Sequence, residues 1–91
     1  MAVKLRIPTP LRPLAGGASE LTREPGTVSE VLASLETDFP GFHDRIYDER
    51  GEIRRFVNIY VNGEDIRFLE GQSTPVADRD EVSIVPAVAG G

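Results

Sequence analysis

Gly90 and Gly91 close a tail, Val85-Pro86-Ala87-Val88-Ala89-Gly90-Gly91, whose tip carries almost no side chain. The one strong functional group on such a tip is a terminal carboxylate, with a pKa near ~3.5 and therefore ionised at neutral pH. A frayed end has the same composition, since termini are commonly disordered unless something holds them. The reading of the tail therefore depends on the domain in front of it. Other chemistry-bearing residues are sparse. His43 is the single histidine; a metal site needs more ligands at a suitable spacing and a general base needs an orienting partner, so it reads as a surface or half-buried residue. Glu30 and Glu36 resemble a carboxylate pair, but with no pocket implied around them they read as a solvated helix face. The chain has no cysteine. That excludes disulfides, thiolate nucleophiles, zinc-thiolate sites and iron-sulfur clusters built from its side chains.

The elements that must position the tail fit one small domain: 91 residues, 40% hydrophobic and 27% charged. A chain of this size buries only about 60% of its unfolded surface, leaving little material for a deep cleft, which argues for a partner rather than a catalyst. Ten Lys and Arg against 15 Asp and Glu give a net charge of -5, which disfavours nucleic acid and anionic lipid. Lys4, Arg6, Arg12 and the Arg54-Arg55 pair are too scattered in sequence for a phosphate-tracking stripe. No charged leader opens the chain and no apolar run approaches the roughly 20 residues that span a bilayer, so the expectation is a cytoplasmic protein with no membrane contact.

Val3, Leu5 and Ile7 alternate with Lys4 and Arg6 as a half-buried strand. Pro8, Pro10 and Pro13 prevent its continuation, Gly16-Gly17 turns the chain, and residues 18–24 form a weaker strand with Leu21 inward. After the Pro25-Gly26 turn, Thr27 and Glu30 match a capping box. The helix it opens has Val28, Val31, Leu32, Leu35 and Phe39 on one face and ends at Pro40-Gly41. From Phe42 to Arg55 the pattern is irregular, with a short amphipathic turn around Phe42, Ile46 and Tyr47. Residues 56–61 are the strongest strand, with Val57, Ile59 and Val61 on one face and Phe56, Asn58 and Tyr60 on the other. Asn62-Gly63 favours a type I′ turn that folds residues 65–68 back beside it. Residues 74–76 form a short edge segment, Asp78-Arg79-Asp80 a polar turn, and residues 81–85 a final strand with Val82 and Ile84 inward, closed by Pro86. Strand, strand, helix and two or three further strands make an α+β domain with one helix on one sheet face.

A cysteine-free chain of this order, whose last strand runs through Pro86 into Ala87-Val88-Ala89-Gly90-Gly91, resembles the ubiquitin-like β-grasp sulfur carriers, the ThiS and MoaD group. The resemblance covers nearly the whole chain and is sharpest over residues 55–91. There Phe56-Val57-Asn58-Ile59-Tyr60-Val61-Asn62-Gly63-Glu64-Asp65-Ile66-Arg67 and the Val85–Gly91 ending are similar to the CysO branch. One departure is Asp78-Arg79-Asp80, where relatives often have Asp-Gly-Asp. The resemblance implies a mixed four- to five-stranded sheet with one main helix packed on one face, a β-grasp domain over residues 1–86 and a flexible Gly-Gly tail over 87–91.

It also implies the chemistry. An E1-like enzyme uses ATP to adenylate the terminal carboxylate of Gly91, and a sulfur donor displaces AMP to leave a thiocarboxylate; ATP and the donor are used by that enzyme, and the carrier binds no cofactor and no metal. Ala87, Val88, Ala89 and Gly90 would be recognised as the tail threads into a partner, and glycine permits the close backbone approach this needs. The implied partners of a CysO-type carrier in cysteine biosynthesis are a PLP-dependent cysteine synthase and a zinc-dependent peptidase. A MoaD-type protein would instead pair with the molybdopterin synthase large subunit, and a ubiquitin-like modifier would be joined to lysines. A plain interaction module is the bland alternative. Phe56, Tyr60 and Phe68 either present an apolar docking patch on the open sheet face or pack under the 42–55 segment.

Overall fold

The computed structural model describes residues 2–86. Strand β1 (Val3–Arg6) buries Val3 and Leu5 and exposes Lys4 and Arg6, as its alternation requires. The three prolines after it shape a 3-10 turn over Thr9–Ala15, which still delivers Leu11 and Ala15 to the core. Strand β2 (Glu20–Arg23) returns antiparallel to β1, narrower than the expected 18–24, with Leu21 half-buried. A two-residue strand β3 (Gly26–Thr27) leads into helix α1 (Val28–Asp38).

Both halves of the capping box are present. The Glu30 N–H donates to Thr27 Oγ1 at 3.2 Å, and the Thr27 N–H donates to Glu30 Oε1 at 2.8 Å. Two of the amides that every helix start leaves without backbone partners are thereby satisfied. Val28, Val31, Leu32 and Leu35 are each no more than 1% exposed. Full burial of side chains like these contributes about 1.5–3 kcal/mol apiece, so the apolar stripe, more than helix propensity, holds α1 on the sheet.

The segment after α1 is more ordered than its irregular pattern suggests. A 3-10 turn over Pro40–Phe42 and a single-turn helix α2 (His43–Ile46) place Phe42 and Ile46 fully in the core, with Phe39 meeting Phe42 edge to face at 6.4 Å. Tyr47 is also buried and forms an isolated bridge with Ile53.

Strand β4 (Val57–Val61) starts one residue later than expected, leaving Phe56 in the preceding turn. Asn62 and Gly63 follow with φ of 52° and 84°, the doubly left-handed backbone of a type I′ turn. The returning strand β5 (Glu64–Asp65) is only two residues long. The expected pairing to residue 68 is cut short because the Asp65 side chain accepts the Arg67 N–H at 2.9 Å, which opens a 3-10 turn over Ile66–Phe68 instead. Strand β6 (Pro75–Val76) pairs with β3 as a separate small ladder, and β7 (Glu81–Pro86) closes the domain.

The five-stranded sheet has the order β2-β1-β7-β4-β5. Strand β7 is central, parallel to β1 and antiparallel to β4. One parallel pair among antiparallel ones makes the sheet mixed, with α1 covering one face: the β-grasp arrangement. The Asn62 N–H to Glu81 C=O bond, 2.8 Å, sets which residues of β4 and β7 exchange hydrogen bonds. By alternation these are the 62–81, 60–83 and 58–85 pairs. Pro86, opposite Val57, is thus at a position where its missing N–H would point away from β4, and β1 has already ended on the other side. The ladder tolerates Pro86 as its last described residue for that reason.

Candidate functional site

The tail residues Ala87, Val88, Ala89, Gly90 and Gly91 lie outside the described residues. What the structure describes is the platform from which they continue. Because β7 runs up the middle of the sheet, its C-terminal end emerges beside the start of β4 on one side and beyond the end of β1 on the other.

Opposite the helix, the open face follows the strand alternation: Lys4 and Arg6 from β1, Glu81, Ser83 and Val85 from β7, Asn58 and Tyr60 from β4. The register sets Lys4 beside Glu81, Ser83 beside Tyr60 and Val85 beside Asn58. This face is graded. Its charged end, at the start of β7, holds Arg6 Nη1 at 3.4 Å from Glu81 Oε2. Its apolar end, next to Pro86, has Val85 at 41% exposure and Phe56 at 50%.

Of the three sequence-derived docking residues, Tyr60 is half-buried on the open face and Phe56 stands exposed just before β4. Phe56 is therefore not packed under the 42–55 segment; the aromatics of that region that go inside are its own Phe42 and Tyr47. Phe68 is 82% exposed but sits in the 3-10 turn after β5, off the sheet ladder. No aromatic pairing links the three among the described residues. Val85 belongs to the exposed apolar set and was missed, although the alternation that turns Val82 and Ile84 inward already turns it outward.

Two polar clamps stiffen the platform. Asn62 Nδ2 donates to Asp80 Oδ1 at 3.1 Å and Asn62 Oδ1 accepts the Glu81 N–H at 2.9 Å, tying the hairpin to the start of β7. The Ala77 N–H donates to Asp80 Oδ2 at 2.8 Å. That backbone bond first, and the Asn62 amide second, hold the Asp80 carboxyl below its ordinary range. The second clamp is Arg67, whose Nη2 donates to Asp65 Oδ2 at 2.7 Å and to Asn58 Oδ1 at 2.6 Å. Its side-chain bonds to Asp65 lower that carboxyl and raise the guanidinium further.

Two further titratable side chains have defined partners. Exposed His43 pairs through Nδ1 with Glu36 Oε1 on the outer surface. Burial, and then the negative charge of Glu36, pushes the Tyr47 hydroxyl up to about 12, so it stays protonated and bonds Gln72 Oε1 at 3.4 Å. Among the described residues no group of three or more His, Cys, Asp or Glu is placed to hold a metal ion, and no helix is long and apolar enough to cross a membrane.

Similarity to known proteins, in sequence and in structure, runs the length of the chain. The chain is 46% identical over 93 residues to the sulfur carrier protein CysO of Mycobacterium tuberculosis, covering all of both chains. It is 37% identical over 93 residues, again covering all of both, to small archaeal modifier protein 3 of Haloferax volcanii. A chain of the crystal structure of the Amycolatopsis orientalis BexX/CysO complex superposes with a TM-score of 0.91 at 41% identity, over 99% of this chain and 100% of that one. The ThiS family model matches residues 5–91. With the family pattern running through the central strand and on to Gly91, the chain belongs to the ThiS family.

Proposed function

We propose that this protein is a sulfur carrier whose working group is the C-terminal carboxylate of Gly91. The observation that carries the reading is the end-to-end match to a sulfur carrier at 46% identity, on a fold whose central strand ends at Pro86, just before the Ala87–Gly91 sequence. The proposed cycle has two steps. A Gly91 carboxylate oxygen attacks the α-phosphorus of ATP on an E1-like enzyme, and pyrophosphate leaves. A donor delivering sulfur as sulfide then attacks the acyl carbon, the acyl C–O bond to AMP breaks and AMP leaves, and loss of the sulfur proton leaves a thiocarboxylate on Gly91. Neither step calls on a side chain of this chain. The catalytic groups, ATP and the sulfur donor belong to the partners.

The pathway we favour is cysteine biosynthesis, with the sulfur taken up by a PLP-dependent cysteine synthase and the product released by a zinc-dependent peptidase. Similarity to CysO supports it. The apolar end of the open face, Phe56, Tyr60 and Val85, is the proposed docking platform, with the tail residues Ala87, Val88, Ala89 and Gly90 threading into the partner beyond it. Similarity to a small archaeal modifier favours a second reading, in which the activated Gly91 is transferred to lysine amines. Intact-mass measurement of the protein from its native cells separates them. An oxygen-to-sulfur exchange localised to Gly91 is expected for the carrier. Isopeptide-linked Gly-Gly remnants on other proteins, without that exchange, would replace it with the modifier reading.

A further inference from the structure

Strand β4 is paired along its whole length with β7 but with β5 only at Tyr60 and Val61. The outer edge of its first three residues therefore has no strand beside it. By the alternation already set, the backbones of Val57 and Ile59 are the ones directed outward there. The Val57 N–H folds back onto the Arg54 C=O at 3.0 Å, which leaves the Val57 carbonyl and the Ile59 N–H aimed into the space alongside. That space is a cleft of about 280 Å³. Ile53, Arg54 and Arg55 form one wall, and Ile66 and Arg67 form the other. Exposed Phe56 and Phe68 each directly adjoin a wall in sequence, Phe56 after Arg55 and Phe68 after Arg67.

The charge here is opposite to that of the molecule. A chain of net charge -5 places three arginines on this cleft against one carboxylate, Asp65, which Arg67 already holds. Arg55 has no carboxylate partner among the described residues, whereas Arg54 donates through Nε to the Asp44 C=O at 2.9 Å and, after the Glu52 N–H, helps to lower the Asp48 carboxyl. Arginines at a sheet edge ordinarily protect it from self-pairing, and they do so here: a second copy of the same edge would bring like charges together. An extended segment bearing carboxylates meets no such barrier.

We infer that the outer edge of β4 at Val57–Ile59 is a second interaction site, which takes an extended acidic segment of a partner protein by strand addition. Main-chain bonds to Val57 and Ile59 set its register, and its carboxylates pair chiefly with the Arg55 guanidinium, the one of the three arginines with no side-chain bond among the described residues. The site lies on the opposite edge of β4 from β7.

The test uses the full-length protein, isotopically labelled for amide NMR, and the hexapeptide acetyl-Glu-Val-Glu-Val-Glu-Val-amide. Saturable shifts confined to residues 53–59 and 65–68, with slowed exchange of the Ile59 amide, are expected. The Lys-Val counterpart should give none. Methylating alternate peptide nitrogens should abolish binding, since it removes the main-chain donors. Arg55→Glu should weaken binding at least tenfold while Arg55→Lys stays within about threefold, each variant keeping the wild-type spectrum elsewhere. Equal binding of the methylated peptide, competition by inorganic phosphate at the same concentration, or shifts centred on Lys4, Arg6 and Tyr60 would each overturn the inference.

Discussion

Arg79 has a φ of 75°, a backbone that costs an L-residue about 1–2 kcal/mol and glycine almost nothing. The turn keeps it there because its N–H donates to the Ala2 C=O at 2.8 Å, and the neighbouring Asp80 N–H to the Ala77 C=O at 3.0 Å. Arg79→Gly should therefore stabilise the fold by about 0.5–1 kcal/mol, after the larger entropy loss of glycine is subtracted; urea denaturation measures it, and an unchanged midpoint would show that the turn stores no strain. Asp80 beside it gives a pH signature. Its carboxyl is held below the ordinary 3.8 by the Ala77 N–H and then by Asn62. A carboxyl lowered on folding contributes stability that is complete above the unfolded value and is lost as pH falls through the lower folded value. Asp80→Asn should melt below wild type at neutral pH, and the difference should close as pH drops below 3.8. A constant difference across that window would mean the stabilisation is not ionic.

At the scale of elements, helix α1 depends on two devices that act differently. The Thr27–Glu30 capping box satisfies amides at the exposed helix start, so Thr27→Ala should cost about 1 kcal/mol in chemical denaturation with an unchanged denaturant slope. The 40–46 turn acts through burial. Phe42 is 0% exposed and meets Phe39 edge to face. Phe42→Ala should cost about 3–5 kcal/mol, a large share of the roughly 5–15 kcal/mol that holds a small domain together. Calorimetry should show it as the worst tolerated of these substitutions; a loss under 1 kcal/mol would mean the cavity collapses.

For the whole molecule, the sheet order sets which surfaces meet at the end of β7. Placing β7 in the centre brings the root of the tail, the apolar end of the open face and the β4 strand into one region, with the charged end of that face distal. Tyr60 is half-buried there, opposite Ser83. Tyr60→Ala should lower kcat/KM for adenylation by the cognate E1-like enzyme by about tenfold, the loss typical of an interface residue worth more than 1 kcal/mol, while the melting temperature changes little. Unchanged adenylation of a folded variant would remove Tyr60 from the docking surface.

Local patterns carried the strands, the capped helix and the Asn62-Gly63 hairpin, because period-two alternation, a capping box and a type I′ dipeptide are enforced by the backbone within a few residues. The alternation even implied that Val85 faces outward. The sequence by itself thus determined where the main strands and helix α1 lie, which of their faces are apolar, and that the chain lacks thiol chemistry; the family pattern pointed to the tail. Only the tertiary structure decided the rest. Phe42 and Ile46 enter the core because the helix end and the sheet leave a gap that an irregular segment can fill, and no periodicity announces it. Phe68 leaves the sheet because Asp65 captures the Arg67 amide. The parallel neighbouring of β1 and β7 depends on contacts between residues more than 70 positions apart, where local propensity has no say and only the shared core face selects the pairing.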